Sequence, residues 1–114
     1  MMRATLLLIV TCAFAGCKSM PPATPLSELN AQQTHGHAVY QTQCAACHYD
    51  RETGDLHGPS LLGMYRKPAL PSGAAATDER VTATILRGRG MMPAMGNKID
   101  QPDLDDLMAY LHTL

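Results

Sequence analysis

The sequence predicts one small all-α domain, with about three to four helices joined by long loops. Three segments carry helix caps or an apolar stripe at helical spacing, and no segment alternates convincingly as a half-buried strand does. The stretches 50–60 and 68–76 are rich in Gly, Pro and polar residues, which indicates loops. A chain of 114 residues leaves room for one domain at most.

Capping signals mark where the helices begin. Asn30 with Gln33 forms a capping-box pattern, which predicts a helix from there to about residue 43. Thr77 is a good N-cap for a second helix over 77–87, which Gly88 would end. Between the two, the run LLGMY is expected to form a short helix.

The last helix has the strongest pattern. Asp100 is the predicted N-cap, Pro102 lies in the first turn, and Ile99 can pack on the first apolar residue of the helix. The apolar stripe at i, i+3, i+4 and i+7 consists of Leu104, Leu107, Met108 and Leu111.

Composition limits what the domain can do. Nine Lys and Arg against ten Asp and Glu give a formal charge of −1, so no basic surface predicts binding to nucleic acid. The chain has four Tyr, one Phe and no Trp, which leaves the core of so small a domain thin. Either the domain has low stability, or a large apolar group that is not an amino acid completes its core.

Residues 1–16 are predicted to be a secretory signal peptide. Arg3 precedes an apolar run from Ala4 to Ala15, which at about 1.5 Å per residue is far shorter than the roughly 30 Å core of a bilayer. A basic start, a short apolar middle and small residues after it are typical of export signals.

Two cleavage sites compete after this run. FAGC (14–17) resembles the lipobox of bacterial lipoproteins, with Phe where that family usually has Leu, and predicts an acylated Cys17 at the mature N-terminus. AFA (13–15) predicts ordinary cleavage and a soluble periplasmic protein instead. In the lipoprotein interpretation, residues 17–29 are a proline-containing tether from the membrane, and 30–114 form the folded domain.

The pentapeptide CAACH, residues 44–48, is the candidate cofactor-binding motif of the chain. C-x-x-C-H is the attachment sequence for c-type haem. Offsets of three and four are neighbours on a helical turn, so Cys44, Cys47 and His48 project from one side. Two thiols can then form thioethers with one porphyrin, while the imidazole reaches its iron.

Two other kinds of site use similar spacing. A thioredoxin-type C-x-x-C needs a βαβ context, which this chain lacks. A structural zinc site needs four ligands, and although His57 is a conceivable fourth, no second paired motif follows. An export signal favours haem, because c-type haem is attached outside the cytoplasm.

Four segments together resemble the small monohaem cytochromes c of bacteria. They are GHAVYQTQCAACH (36–48), HGPSLLG (57–63), RGRGMMPAMG (87–96) and LMAYL (107–111). The resemblance covers residues 36–111 in order, and it implies the cytochrome c fold around one covalently bound haem c.

The resemblance also implies roles for individual residues. Cys44 and Cys47 would bind haem, and His48 would be the proximal iron ligand. The Pro59 carbonyl would accept a hydrogen bond from the His48 ring, and Leu61 would pack on the haem face. Gly36 and Tyr40 of the first helix would cross the last helix near Leu107 and Tyr110, with Gly36 allowing close approach of the two backbones.

The distal iron ligand implied by the resemblance is Met92, which directly precedes Pro93. Met91 and Met64 are other soft ligands or gap-fillers, and Met95 stands where relatives often have Phe, so it suits the core. The other histidines are expected to be solvated rather than to be iron ligands: His35, His37, His57 and His112.

Ligation by His and Met fills the coordination of iron and leaves no open position for a substrate. The expected function is therefore to carry single electrons between redox proteins at the periplasmic side of a membrane, without catalysis and without a small-molecule substrate. Two alternatives remain. The domain could be the cytochrome subunit of a membrane dehydrogenase or reductase, or a peroxidase-like or gas-sensing domain if the distal Met is labile.

Overall fold

The computed structural model describes residues 19–114, and within this range it contains three α-helices and no β-strand. The helices are α1 (Ala31–Gln43), α2 (Asp78–Arg87) and α3 (Gln101–Leu111). A one-turn 3-10 helix at Leu26–Glu28 precedes α1. The all-α prediction is confirmed, while the predicted signal peptide and Cys17 lie outside the described residues. None of the described helices has the length and apolar character needed to cross a bilayer.

Each helix begins at the residue that the sequence predicts. The Asn30 side chain accepts from the amide of Gln33 at 2.8 Å, and the Gln33 side chain accepts from the amide of Asn30 at 3.0 Å. Thr77 and Asp100 likewise accept from the amide three residues further on, at 3.3 and 2.9 Å. These contacts satisfy amides that have no partner inside the helix.

Helices α1 and α3 cross in close contact. Gly36 is buried at the crossing, where an added Cβ would run into the carbonyl oxygen of Asp106 and lie 2.8 Å from Cβ of Tyr110. Leu107 and Tyr110 are completely buried on the other side. The predicted crossing is confirmed, and only glycine allows the two backbones to approach this closely.

The core lies between α3 and the other two helices. Ile85 of α2 is buried, and the carbonyl of Ile85 accepts from the amide of Met95, which fixes the segment after α2 against that helix. Met95 is 6% exposed, as expected for a core residue. The buried apolar residues are Val39, Tyr40, Met64, Val81, Ile85, Met95, Ile99, Leu104, Leu107, Tyr110, Leu111 and Leu114.

The expected short helix over LLGMY is wrong: residues 62–66 form consecutive turns. The amide of Met64 donates to the carbonyl of Leu61 at 3.1 Å, and that of Arg66 donates to Gly63 at 2.8 Å. Gly63 has a φ of +64°, in the left-handed region. A right-handed helix cannot continue through that conformation.

Part of the predicted tether packs on the domain. Residues 20–29, which we call the strap, run along it before α1. The amide of Thr24 donates to the carbonyl of Thr113 at 2.8 Å, and the guanidinium of Arg51 donates to the carbonyl of Thr24 at 2.7 Å. Both partners are distant in sequence, so the composition of the strap alone did not reveal these contacts.

Candidate haem-attachment site

The CAACH segment begins where α1 ends. Cys44 is the C-cap of α1, and its amide donates to the carbonyl of Tyr40 at 2.8 Å. The chain then turns, and the amides of Cys47 and His48 both donate to the carbonyl of Cys44 at 3.0 Å. The bond from His48 spans four residues, so one helical turn is kept and the offsets that the motif needs are preserved.

The two cysteines differ in exposure. Cys44 is partly buried against the core, Cys47 is exposed, and the two are not joined by a disulfide. Burial, with a smaller contribution from Cys47, raises the pKa of the Cys44 thiol to about 11. The Cys44 sulfur therefore lies at the inner edge of the site, and the Cys47 sulfur lies at its outer edge.

The loop after His48 folds back onto the motif. The amides of His57 and Gly58 donate to the carbonyl of Cys47 at 3.2 and 2.7 Å. The amide of Leu61 donates to the carbonyl of Tyr49 at 2.8 Å. These three bonds close the loop, and they bring the segment that starts at Pro59 beside the imidazole.

The ring of His48 is oriented by a main-chain carbonyl. Its Nδ1 lies 2.8 Å from the carbonyl oxygen of Pro59. A carbonyl only accepts, so Nδ1 carries the proton and Nε2 keeps the lone pair that a metal ligand needs. Gly58 lies against the same ring, since an added Cβ there would run into Cε1 and lie 2.8 Å from Nδ1.

A second contact to His48, which the sequence reasoning missed, comes from α1. The hydroxyl of Tyr40 donates to the main-chain carbonyl of His48 at 2.6 Å. Burial, with the nearby charge of Asp50, raises the pKa of Tyr40 to about 12, so the hydroxyl stays protonated at neutral pH. The sequence did offer one signal for this contact. Tyr40 lies on the same face of α1 as Gly36, and packing against α3 alone would not require its hydroxyl.

An apolar cavity of about 280 Å³ lies along the segment that starts at Pro59, the residue whose carbonyl orients the His48 ring. Its lining consists of Pro59, Ser60, Leu61, Met64, Lys67, Ala69, Leu70 and Pro71. Pro59 and Leu61, which the resemblance places on the haem face, belong to this lining. Cys44, Cys47 and His48 lie on one turn, and the ring of His48 has its Nε2 free, so these residues fit haem; the apolar residues after Pro59 provide a surface that suits a porphyrin.

The two adjacent methionines are placed differently. Met92 is partly buried against the core, whereas the side chain of Met91 is 96% exposed. Arg89 and Met92 form an isolated antiparallel bridge with hydrogen bonds of 2.9 and 3.1 Å. This bridge fixes the backbone of the segment that holds Met92.

A polar cluster that the sequence did not predict lies behind the α1–α3 crossing. The hydroxyl of Tyr110 donates to the carboxylate of Asp50 and accepts from Nε of Arg51 at 3.3 Å. His37 stacks on Tyr40 and tilts against Tyr110, with centroid distances of 6.1 and 5.0 Å. The side chain of His37 is 19% exposed, so it is less solvated than expected, because the rings of Tyr40 and Tyr110 lie beside it.

The comparisons with known proteins agree with this geometry. Residues 31–111 match the family model described as cytochrome c oxidase, cbb3-type, subunit III. The chain belongs to this family of cytochrome c domains. It is a small monohaem c-type cytochrome, with haem c bound covalently.

Its relatives include cytochromes c6 and part of a larger oxidase subunit. Cytochrome c6 of Synechocystis sp. is 29% identical over 83 residues, which cover 73% of this chain and 66% of that protein. Cytochrome c6 of Pyropia tenera is 26% identical over 81 residues, which cover 71% of this chain and 91% of that protein. The cbb3-type oxidase subunit CcoP of Azospirillum brasilense is 32% identical over 83 residues, covering 69% of this chain and 27% of that subunit. The chain thus spans about a quarter of CcoP and just under two thirds of the Synechocystis protein.

Proposed function

We propose that this cytochrome carries single electrons between periplasmic or membrane-bound redox proteins, with its iron ligated by His48 and Met92. The observation that carries the proposal is the contact between the His48 ring and the carbonyl of Pro59. The Nδ1 of His48 is engaged by this carbonyl at 2.8 Å, so Nε2 is the atom available to iron. Cys44 and Cys47 would hold the porphyrin as thioethers on the same turn.

Met92 is the proposed distal ligand because of its burial. A thioether that closes a coordination position must leave solvent, and Met92 is partly buried while Met91 is 96% exposed. Bound haem iron supplies a one-electron couple, whose potential ligation by His and Met raises above that of bis-His ligation. With both positions filled by its own side chains, the protein presents no place for a substrate.

The first experiment tests covalent attachment. Acid–acetone extraction should leave the pigment on the protein, because thioether bonds to Cys44 and Cys47 survive the treatment that releases non-covalent haem. Changing both cysteines to Ala should abolish attachment during expression. Pigment that moves into the organic phase from the unmodified protein would contradict the proposed site.

The second experiment tests the distal ligand. Met92→Ala should open the site and give high-spin iron that binds carbon monoxide, whereas the unmodified protein should bind it poorly. Met92→His should keep six-coordination and lower the reduction potential markedly, because imidazole favours Fe(II) less than a thioether does. Met91→Leu is the matched control and should leave the absorption spectrum unchanged.

The same measurement decides between carrier and sensor. If the unmodified protein binds carbon monoxide readily, Met92 is labile or not a ligand, and a gas-sensing or peroxidase-like role replaces the carrier role.

We also propose that Cys17 is acylated and holds the domain on the periplasmic side of a bacterial membrane. The support for acylation is the FAGC sequence at 14–17. An acylated Cys17 would hold the protein on the membrane, because each buried CH₂ of an acyl chain contributes about 0.8 kcal/mol to membrane binding. The full-length protein should partition into detergent, and Cys17→Ser should be soluble or uncleaved. A mature N-terminus at Gly16 would support the soluble alternative.

A second candidate function is favoured by the match to CcoP and to the subunit III family. In this case the domain is a permanently docked cytochrome subunit of a membrane dehydrogenase or reductase. Purification in mild detergent distinguishes the two, because a subunit should co-purify with stoichiometric partner chains and a free carrier should not.

A further inference from the structure

The strap is fixed to the domain at its beginning as well as at its middle. The guanidinium of Arg66 donates to the carbonyl of Pro21 at 3.0 Å. The side chain of Met20 lies directly on Gly63, in space that a Cβ at that position would fill. Together with the bonds of Thr24 described above, these contacts hold the strap from its first residue on.

The start of the strap limits how far the domain can lie from an anchor. Cys17 is three residues before Met20. At no more than about 3.6 Å per extended residue, the two Cα atoms are at most about 11 Å apart. A chain this short does not let the domain swing away from the surface to which Cys17 is attached.

Charge is distributed unevenly between α3 and the segments that include the beginning of the strap and turn 62–66. Residues 19–27 and 56–77 contain two cations and no carboxylate, and the cations are Arg66 and Lys67. Residues 100–111, which form α3 and its N-cap, contain four Asp and no Lys or Arg. Anionic headgroups attract the first set and repel the second.

Most of the exposed large apolar side chains lie in the same two sequence stretches that lack carboxylates. Within residues 19–114, four large apolar side chains are exposed, and three of them belong to the basic stretches: Met20, Leu26 and Leu56. Apolar groups among cations suit the interface of an anionic bilayer, where both can be accommodated.

We propose that the side of the domain formed by the beginning of the strap and turn 62–66 rests on the anionic membrane surface that holds the acyl chains of Cys17, in one fixed orientation. The acidic N-terminal end of α3 then faces away from the bilayer. This proposal rests on the proposed acylation of Cys17, and it replaces a loosely tethered domain with one that lies flat on the lipid.

The test uses spin labels at the two ends of the molecule. Haem occupies Cys44 and Cys47 and lipid occupies Cys17, so an introduced cysteine is the only free thiol of the mature chain. Pro68→Cys places a label two residues from Arg66, at an exposed position outside the cavity lining. Asn97→Cys places one in the turn before α3, at the opposite end of that helix from Thr113.

Each labelled, full-length protein is reconstituted in anionic vesicles doped with nickel-chelating lipid, with the haem reduced. Relaxation of the label by nickel depends steeply on its distance from the headgroups. We expect relaxation several-fold stronger at position 68 than at position 97. Equal relaxation at both positions, or stronger relaxation at 97, would overturn the proposal.

Two variants serve as the matched pair. Inserting ten Gly and Ser residues after Ser19 should release the domain and abolish the difference between the labels. The same insertion at Gly54, in an exposed loop with nothing within 4 Å of an added Cβ, should preserve the difference. A difference that survives the insertion after Ser19 would contradict a role for the short connection.

Mass spectrometry of the same preparations separates the two proposals. An unmodified Cys17 overturns both the anchor and the orientation. An acylated Cys17 with equal relaxation at the two labels overturns the orientation alone.

Discussion

The ring of His48 is held by main-chain atoms and by a glycine. The carbonyl of Pro59 fixes the tautomer, and Gly58 leaves room for the ring. The hydroxyl of Tyr40 holds the carbonyl of the same residue at 2.6 Å. No charged side chain is needed for any of these contacts, so the orientation of the proposed ligand should change little with pH or salt.

Gly36 is a residue at which a single added methyl group meets the backbone of the neighbouring helix. In Gly36→Ala the new Cβ meets the Asp106 carbonyl, so the helices must separate. Overpacking of this kind costs about 1–3 kcal/mol. The midpoint of thermal unfolding of the holoprotein should fall accordingly, while Ala38→Ser, on the exposed face of α1, should leave it nearly unchanged.

Tyr110→Phe tests the polar cluster. The hydroxyl of Tyr110 is the hydrogen-bond donor to Asp50, whose side chain is only 16% exposed, and its loss leaves that carboxylate short of a partner. We expect the free energy of unfolding in denaturant to fall by about 1–3 kcal/mol. Tyr49→Phe is the control, and an equal loss in both variants would show that the cluster contributes nothing specific.

At the scale of elements, the crossing of α1 and α3 also carries a charge contact. His35 of α1 lies 2.7 Å from the carboxylate of Asp106 and 3.8 Å from that of Asp103, both on α3. The hydrogen bond with Asp106 is the main cause that raises the pKa of His35, with the charge of Asp103 adding to it. The protonated form of His35 thus favours the folded protein.

The sign of the pH dependence follows from this direction. A group whose pKa is higher in the folded state stabilises the fold fully below its unfolded pKa, near 6.5, and loses that effect as the pH rises through the folded pKa. The midpoint of thermal unfolding should therefore decline above about pH 6.5. His35→Gln should reduce this decline, and His57→Gln, an exposed histidine away from the crossing, should not.

Local signals predicted the elements well, because each depends on neighbours in the sequence. Asn30, Thr77 and Asp100 bond the amide three residues ahead, so their roles are visible in the sequence itself. The turn at Gly63 was missed because apolar content indicated a helix, while the positive φ depends on how the loop is closed. The contacts of Arg51 were missed because Thr24 and Tyr110 are 27 and 59 residues away from it.

In the candidate site, too, the features that depend on neighbours in the sequence were predicted, and those that depend on distant contacts were not. The CAACH motif and the bond from His48 to Pro59 were anticipated, the motif by its spacing and the bond by resemblance to a family. His37 was assigned to solvent, although the resemblance placed Tyr40 near Tyr110, because the sequence does not show that the ring of His37 lies between them. Met92 as the distal ligand stays a prediction.

At the scale of the whole molecule, haem is expected to be part of the core. The aromatic side chains of the described residues are four tyrosines, and only Tyr40 and Tyr110 are buried. So few large side chains bury little area against the conformational entropy of the chain. The protein with both haem cysteines changed to Ala should therefore be largely disordered by circular dichroism, and a cooperative thermal transition in that variant would refute this expectation.

The bond between Thr24 and Thr113 brings the chain entering the domain beside the chain leaving it. A domain whose entry and exit are adjacent tolerates circular permutation, because a few residues suffice to join them. A version that links residue 114 to the strap and opens at the exposed Gly73 should attach haem and fold like the original. Because the segments at Thr24 and Thr113 are adjacent, the domain should also be insertable into a surface loop of another protein without separating the two ends of that loop.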